Sequence, residues 1–166
     1  MNWRQYITGY KAYLKLEKSL SANSIQAYQR DLQKLISFLE INNLQKGPEK
    51  ITLADLQGFM KYIHDLGLSA TSQARIVSGI KSFYNYLLLE DLIDESPAEL
   101  LEAPKTSRKL PDTLSIHEIN QIIEVVDLST DEGVRNKAMI ETMYGCGLRV
   151  SELTDLRIST IFFNDG

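Results

Sequence analysis

Met143-Tyr144-Gly145-Cys146-Gly147-Leu148-Arg149-Val150-Ser151-Glu152-Leu153-Thr154-Asp155-Leu156 is the run that governs how the rest of the chain reads. An apolar helix ends at Tyr144, Gly145 and Gly147 open a tight turn, and Arg149 stands where the next helix begins. Glycine has no Cβ and tolerates positive φ, so the backbone can fold back sharply there. The turn sets a guanidinium beside the free N–H groups of a helix start, and two positive groups gather around an anion. Arginine suits a phosphate, because its planar fork donates two parallel hydrogen bonds and stays charged. A surface arginine in a glycine-capped helix is the plainer alternative, and the local pattern leaves both open.

The bulk properties narrow the setting. A chain of 166 residues holds one ordinary domain or two small ones. With 43% hydrophobic and 24% charged residues it has the composition of a soluble globular protein. No apolar run approaches the roughly 18 residues a membrane span requires. Met1 to Gln5 lack the apolar core of a signal peptide, so the expected location is cytoplasmic. Cys146 is the single cysteine, which excludes an internal disulfide and provides no metal cluster. No metal or small-molecule cofactor is expected.

The net charge of −4 looks wrong for a nucleic-acid binder until it is divided along the chain. Residues 1–89 carry eleven Lys/Arg against six Asp/Glu, whereas residues 90–102 hold six acids and no base. Lys105, Arg108 and Lys109 follow, and residues 111–166 set four bases against ten acids. Positive charge therefore collects in the first part and just after it, where a surface facing phosphates would need it.

That first part reads as four amphipathic helices with short connections, a small bundle. Trp3, Tyr6, Ile7, Tyr10, Tyr13 and Leu14 share one stripe of the first helix. Its tyrosines read as packing aromatics with wet hydroxyls, base stacking being the other option. The second helix runs from near Ser21 to Glu40, with Ile25, Tyr28, Leu32, Leu35, Ile36 and Leu39 inward and Asn23, Gln26, Arg30 and Lys34 outward. Thr52 and Asp55 make a capping-box pair for the third, whose Leu53, Leu56, Phe59, Met60 and Ile63 face the core and which Gly67 stops. Ser69 caps the fourth, which reaches about Leu89 on an apolar stripe of Ile76, Ile80, Phe83, Tyr84 and Leu87. Thr71, Arg75, Ser78 and Ser82 lie opposite, flanked by Lys81. Solvated helix faces normally mix acids with bases, and these two outward stripes lack acids. A helix of about 30 Å with such a face fits a major groove, where Arg and Gln read base edges and Ser or Thr hold phosphates.

Ser96-Pro97 marks a turn and the start of a further helix. Residues 103–113 contain Pro104, Pro111, Lys105, Arg108 and Lys109 without a regular period, the composition of an exposed linker. Ser115-Ile116-His117-Glu118 is a capping box that opens a helix with Ile119, Ile122, Ile123 and Val126 inward. Thr130-Asp131-Glu132 starts the helix that runs to Tyr144. Asn164-Asp165-Gly166 reads as a loop entering a turn or hairpin.

Gly147-Leu148-Arg149-Val150-Ser151-Glu152-Leu153 resembles the first arginine motif of the tyrosine recombinases, or phage integrases, and most closely their XerC/XerD-like branch. Tyr28 and Asp31-Leu32 are similar to landmarks of the family's second core-binding helix, and Ser69 to Leu89 resembles its fourth. Lys109-Leu110-Pro111 with Leu114-Ser115, and Val134 to Ala138, look like the entry to its catalytic domain. The resemblance implies an all-α chain: a SAM-like four-helix core-binding domain over 1–102, a basic linker over 103–113, and over 114–166 the helical start of an incomplete α/β catalytic domain. It implies site-specific recombination through a 3′-phosphotyrosine without cofactor, on double-stranded DNA, as a tetramer of the full-length protein, alone or with a paired recombinase.

By position, Arg149 would be one of two phosphate-clamping arginines and Glu152 an acid that orients the site, or an ordinary helix-start acid. Asn23, Gln26, Arg30, Lys34, Thr71, Arg75, Ser78, Lys81, Lys105, Arg108 and Lys109 would contact DNA. The family's lysine, His-x-x-Arg motif and nucleophilic tyrosine find no match within these 166 residues, so this chain by itself is not expected to cleave DNA. A non-catalytic DNA-binding or regulatory module, and a helical interaction domain without a role on DNA, remain as alternatives.

Overall fold

A computed structural model describes residues 3–107 and 111–161. The chain divides into two compact units, Met1–Arg108 and Lys109–Gly166. Among the described residues all regular structure is helical. In the first unit α1 spans Trp3–Leu16, α2 Ala22–Ile41, α3 Leu53–Asp65 and α4 Ala70–Leu89. In the second, α5 spans Ile116–Glu124, α6 Asp131–Cys146 and α7 Val150–Thr154.

Helix starts follow from local chemistry. The hydroxyls of Ser21, Thr52 and Ser69 each accept the amide three residues on, and the Asp55 carboxylate accepts the Thr52 amide in return. Lys46 closes on the same carboxylate at 2.7 and 2.8 Å, tying the loop before α3 to its first turn. Burial alone would push the Asp55 carboxyl up, but the Lys46 ammonium and the Thr52 amide and hydroxyl hold it below the ordinary carboxylate range.

The core of the first unit is the expected inward set: Tyr10 and Leu14 from α1, Leu32, Leu35 and Leu39 from α2, Leu56, Phe59 and Ile63 from α3, and Ile76, Ile80, Phe83, Tyr84 and Leu87 from α4. Each such side chain contributes about 1.5–3 kcal/mol when taken out of water. Phe38, Val77 and Tyr86 join it although the apolar spacing did not single them out. The α1 tyrosines pack as expected, but the Tyr10 hydroxyl is not wet. It is enclosed, donates to Ser82 Oγ at 2.9 Å, and is pushed by burial well above the usual phenol range. Ser82 is therefore occupied by the core rather than presented outward. Gly9 lies where α1 meets α4 so closely that a Cβ would overlap the Tyr86 hydroxyl.

Past α4, residues 97–100 form turns instead of the helix expected at Pro97. Ala98 and Leu101 are buried in the bundle core, and Lys81 Nζ donates to the Glu99 carbonyl at 3.2 Å. Anchoring two apolar residues three apart holds this acidic strap without a regular helix.

The second unit differs most from expectation. Ile119, Ile123 and Val126 are only half-buried, and Ile122, Val125, Val134 and Val150 are exposed. Three short helices have too little surface to enclose a core. Ser115 and Glu118 form the expected capping box. α6 does not stop at Tyr144: Gly145 remains helical, and Gly147 alone turns the chain, at φ 63° and ψ 29°. The amide of Leu148 reaches back to the Met143 carbonyl at 3.0 Å, closing a left-handed cap. The hairpin expected at Asn164-Asp165-Gly166 lies outside the described residues.

Candidate nucleic-acid interface

Periodicity and burial together leave one face of α2 in water. Asn23, Gln26, Arg30 and Lys34 are all exposed, and among the described residues no hydrogen bond or ion pair engages their side chains. Arg30 and Lys34 border an open cleft whose apolar wall includes Tyr62, Ile63, Leu66 and Leu68. Long basic stems lie readily along such a wall while their charged ends stay hydrated.

The outward face of α4 is organised differently. Thr71 is exposed, and the Ser78 hydroxyl bonds back to the Ala74 carbonyl at 3.1 Å. Arg75 Nη1 and Nη2 donate to the two carboxylate oxygens of Asp31 at 2.6 and 2.7 Å. The Arg75 side chain is 50% exposed, whereas that of Asp31 is 0%. One end of the guanidinium thus neutralises a buried acid on α2 while its other edge meets solvent. Lys81 is turned to the Glu99 carbonyl, toward the acidic strap. Lys105 is exposed, and Arg108 and Lys109 lie outside the described residues.

In the second unit Arg149 precedes α7 directly. Its amide donates to Glu152 Oε2 at 2.7 Å, and its Nη1 to Oε1 at 2.8 Å. Both residues are open to solvent, the Arg149 side chain 82% exposed. The anion gathered by the glycine–arginine turn is here the Glu152 carboxylate itself. The Arg149 amide and guanidinium hold that carboxyl below its ordinary value. A solvent-facing ion pair of this kind is weak and opens readily to a competing anion.

The family model described as "Phage integrase, N-terminal SAM-like domain" matches residues 7–91, which takes in all of α2, α3 and α4. The chain belongs to the phage integrase family. A second model, "Phage integrase family", matches residues 112–166. Among curated relatives, the tyrosine recombinase XerD of Staphylococcus saprophyticus is 40% identical over 155 residues, covering 93% of this chain and 52% of that protein. XerD of Oceanobacillus iheyensis is 37% identical over 149 residues, 90% of this chain and 50% of the relative. XerC of Bacillus licheniformis is 35% identical over 160 residues, 96% and 52%. The chain spans about half the length of the curated relatives it matches. The XerC/XerD-like branch read from the Arg149 motif is therefore the one its relatives carry. No helix among the described residues is long and apolar enough to cross a membrane.

Sequence reasoning missed Asp31 as the partner of Arg75. The signal was available: an acid between Tyr28 and Leu32 and Leu35, on the inward side of an amphipathic helix. A charge there must be paired to be tolerated. Which cation pairs with it depended on how α2 and α4 pack.

Proposed function

We propose that this chain is the DNA-binding domain and the opening of the catalytic domain of a site-specific tyrosine recombinase. Residues 1–102 bind duplex DNA, 103–113 form the basic linker, and 114–166 begin the domain that cleaves. The observation that carries the reading is the acid-free, unengaged stripe of Asn23, Gln26, Arg30 and Lys34 on α2, in a chain matched at both ends by the phage integrase models. Thr71, Arg75 and Ser78 on α4 extend it, with Lys105, Arg108 and Lys109 closing on the backbone from the linker. Long basic side chains hold phosphates, and Asn and Gln supply the paired donor and acceptor that read base edges.

In the complete enzyme Arg149 clamps the scissile phosphate, and Glu152 holds the guanidinium in place until that anion arrives. A tyrosine further along attacks the phosphorus and is later displaced by a free 5′-hydroxyl, the arginine stabilising the crowded phosphate each time. The exposed apolar faces of α5 and α6 are where the rest of the catalytic domain packs. Assembly as a tetramer on DNA, work beside a paired recombinase, and a cytoplasmic role in chromosome-dimer resolution or element integration belong to the same proposal.

Duplex binding by this chain should weaken at least tenfold on reversing Arg30 and Lys34 to Glu, and should fall steeply with salt. Affinity unchanged by that reversal refutes the interface. In a full-length protein Arg149→Ala should abolish the covalent protein–DNA adduct while leaving site binding within about threefold. A loss of binding as large as that from the Arg30/Lys34 reversal would mean the roles are wrongly divided. A non-catalytic DNA-binding module is the second reading, favoured by the engagement of Arg149 with Glu152. It predicts duplex binding without an adduct even in the full-length protein.

A further inference from the structure

Among the described residues Arg75 alone supports the Asp31 carboxylate. It is enclosed at the α2–α4 contact, and both its oxygens are taken by Arg75. Gly79 of α4 forms the wall behind it: a Cβ there would stand 3.0 Å from Oδ2 and 3.5 Å from the Tyr28 ring. Tyr10 is near enough for the Asp31 charge to help keep its phenol protonated. Enclosed at that contact with Gly79 close by, the carboxylate fixes the guanidinium through two parallel hydrogen bonds.

A guanidinium has five N–H donors. Arg75 spends one from each Nη on Asp31, which leaves Nε–H and the outer N–H of each Nη. Nε–H and the adjacent outer Nη–H are parallel, the fork that phosphate accepts. The paired charges of Arg75 and Asp31 sum to zero. We infer that Asp31 is a positioning residue for DNA binding, cancelling the net charge of Arg75 and aiming its free fork at one backbone phosphate. On this arrangement Arg75 sets register through directed donors, while the counterion-releasing attraction comes from Arg30 and Lys34. The inference rests on the DNA-binding reading above, and adds a division of labour between the two helices.

Salt dependence separates the two kinds of contact, because each phosphate neutralised by a net positive charge changes the slope of log K against log salt by about 0.9. Fluorescence anisotropy with the whole chain and a mixed-sequence duplex, across a KCl series, reads that slope. Asp31→Asn frees the Arg75 charge, so the slope should steepen by about 0.9 while low-salt affinity holds or rises. Arg75→Lys keeps the charge but loses the fork. It should lower affinity several-fold at every salt with the slope unchanged.

A purely structural Asp31 would predict something else: fewer folded molecules, weaker binding at all salts, and a wild-type slope. That result for Asp31→Asn, in protein shown by melting to be folded, overturns the inference. Should Asp31→Asn fail to fold, Arg75→Lys decides alone, and a slope shallower by about 0.9 with unchanged high-salt affinity refutes it. A wild-type chain without salt-dependent duplex binding overturns the DNA-binding reading and this inference together. Wild-type binding that depends on Arg30 and Lys34, with no slope change in Asp31→Asn, overturns this inference only.

Discussion

Replacing Arg75 by Met tests the α2–α4 contact most directly. The substitution keeps the apolar stem and removes the only cation paired with Asp31 among the described residues. Breaking a buried pair by deleting one partner costs about 3–5 kcal/mol, since an uncompensated charge is left behind. Arg75 is itself 50% exposed, so water can enter where the guanidinium stood and soften the loss. The expected cost is therefore about 2–4 kcal/mol, well above the 0–1 kcal/mol of an exposed pair. Asp31→Asn should cost less, about 1–2 kcal/mol, because an amide still accepts one bond from Arg75. Combining both changes removes the buried charge, so the double variant should be more stable than Arg75→Met alone by at least about 1 kcal/mol. Urea unfolding followed by Trp fluorescence is the assay: Trp3 is the single tryptophan, and it stacks on Phe83 within the same bundle. A cost below about 0.5 kcal/mol for Arg75→Met, or no recovery in the double variant, would refute the view that Asp31 depends on this arginine.

Two other perturbations probe the same bundle. Gly9→Ala should destabilise by about 1 kcal/mol: overpacking against Tyr86 costs roughly 1–3 kcal/mol, and a helical alanine returns about 1. In a Tyr86→Phe background the overlap is gone and the same change should stabilise, so a wild-type-background gain would show that α1 and α4 do not meet as described. The Lys46–Asp55 pair sets an acid response. Because the folded-state pKa of Asp55 is depressed, its contribution is full above the unfolded carboxylate value of about 3.9 and is lost as pH falls through the folded value. Lys46→Met should therefore be destabilising at pH 7, with the difference from wild type shrinking as pH falls below the unfolded carboxylate value of about 3.9 and through the depressed folded one. A difference that stays constant across that range would place the effect of Lys46 in packing instead of charge.

The four helices of the first unit were legible to within about a residue because their causes are local. Ser21, Thr52 and Ser69 cap through bonds spanning three residues, and the inward stripes recur at the same spacing. Gly147 was legible as a turn for the same reason, while Gly145 was not excluded from it until α6 was seen to continue beneath it. The inward reading of Ile122 failed because periodicity marks a face without saying what covers it. Of the candidate interface, the exposure of Asn23, Gln26, Arg30 and Lys34 on α2 was legible in the sequence. On α4 Thr71, Arg75 and Ser78 face outward as read, but Ser82 is drawn in to Tyr10, Lys81 reaches Glu99, and Arg75 holds Asp31.

Taken alone, the chain's residue order settled the helices, their caps, the segregation of basic from acidic segments, and the family to which the chain belongs. These depend on residues a few positions apart, and the energies that favour them act within a turn or two of backbone. Only tertiary structure decided that Arg75 would meet Asp31 across 44 residues, and Tyr10 meet Ser82 across 72. Such pairs exist because of which helix faces which, and that choice is made by the whole core packing at once.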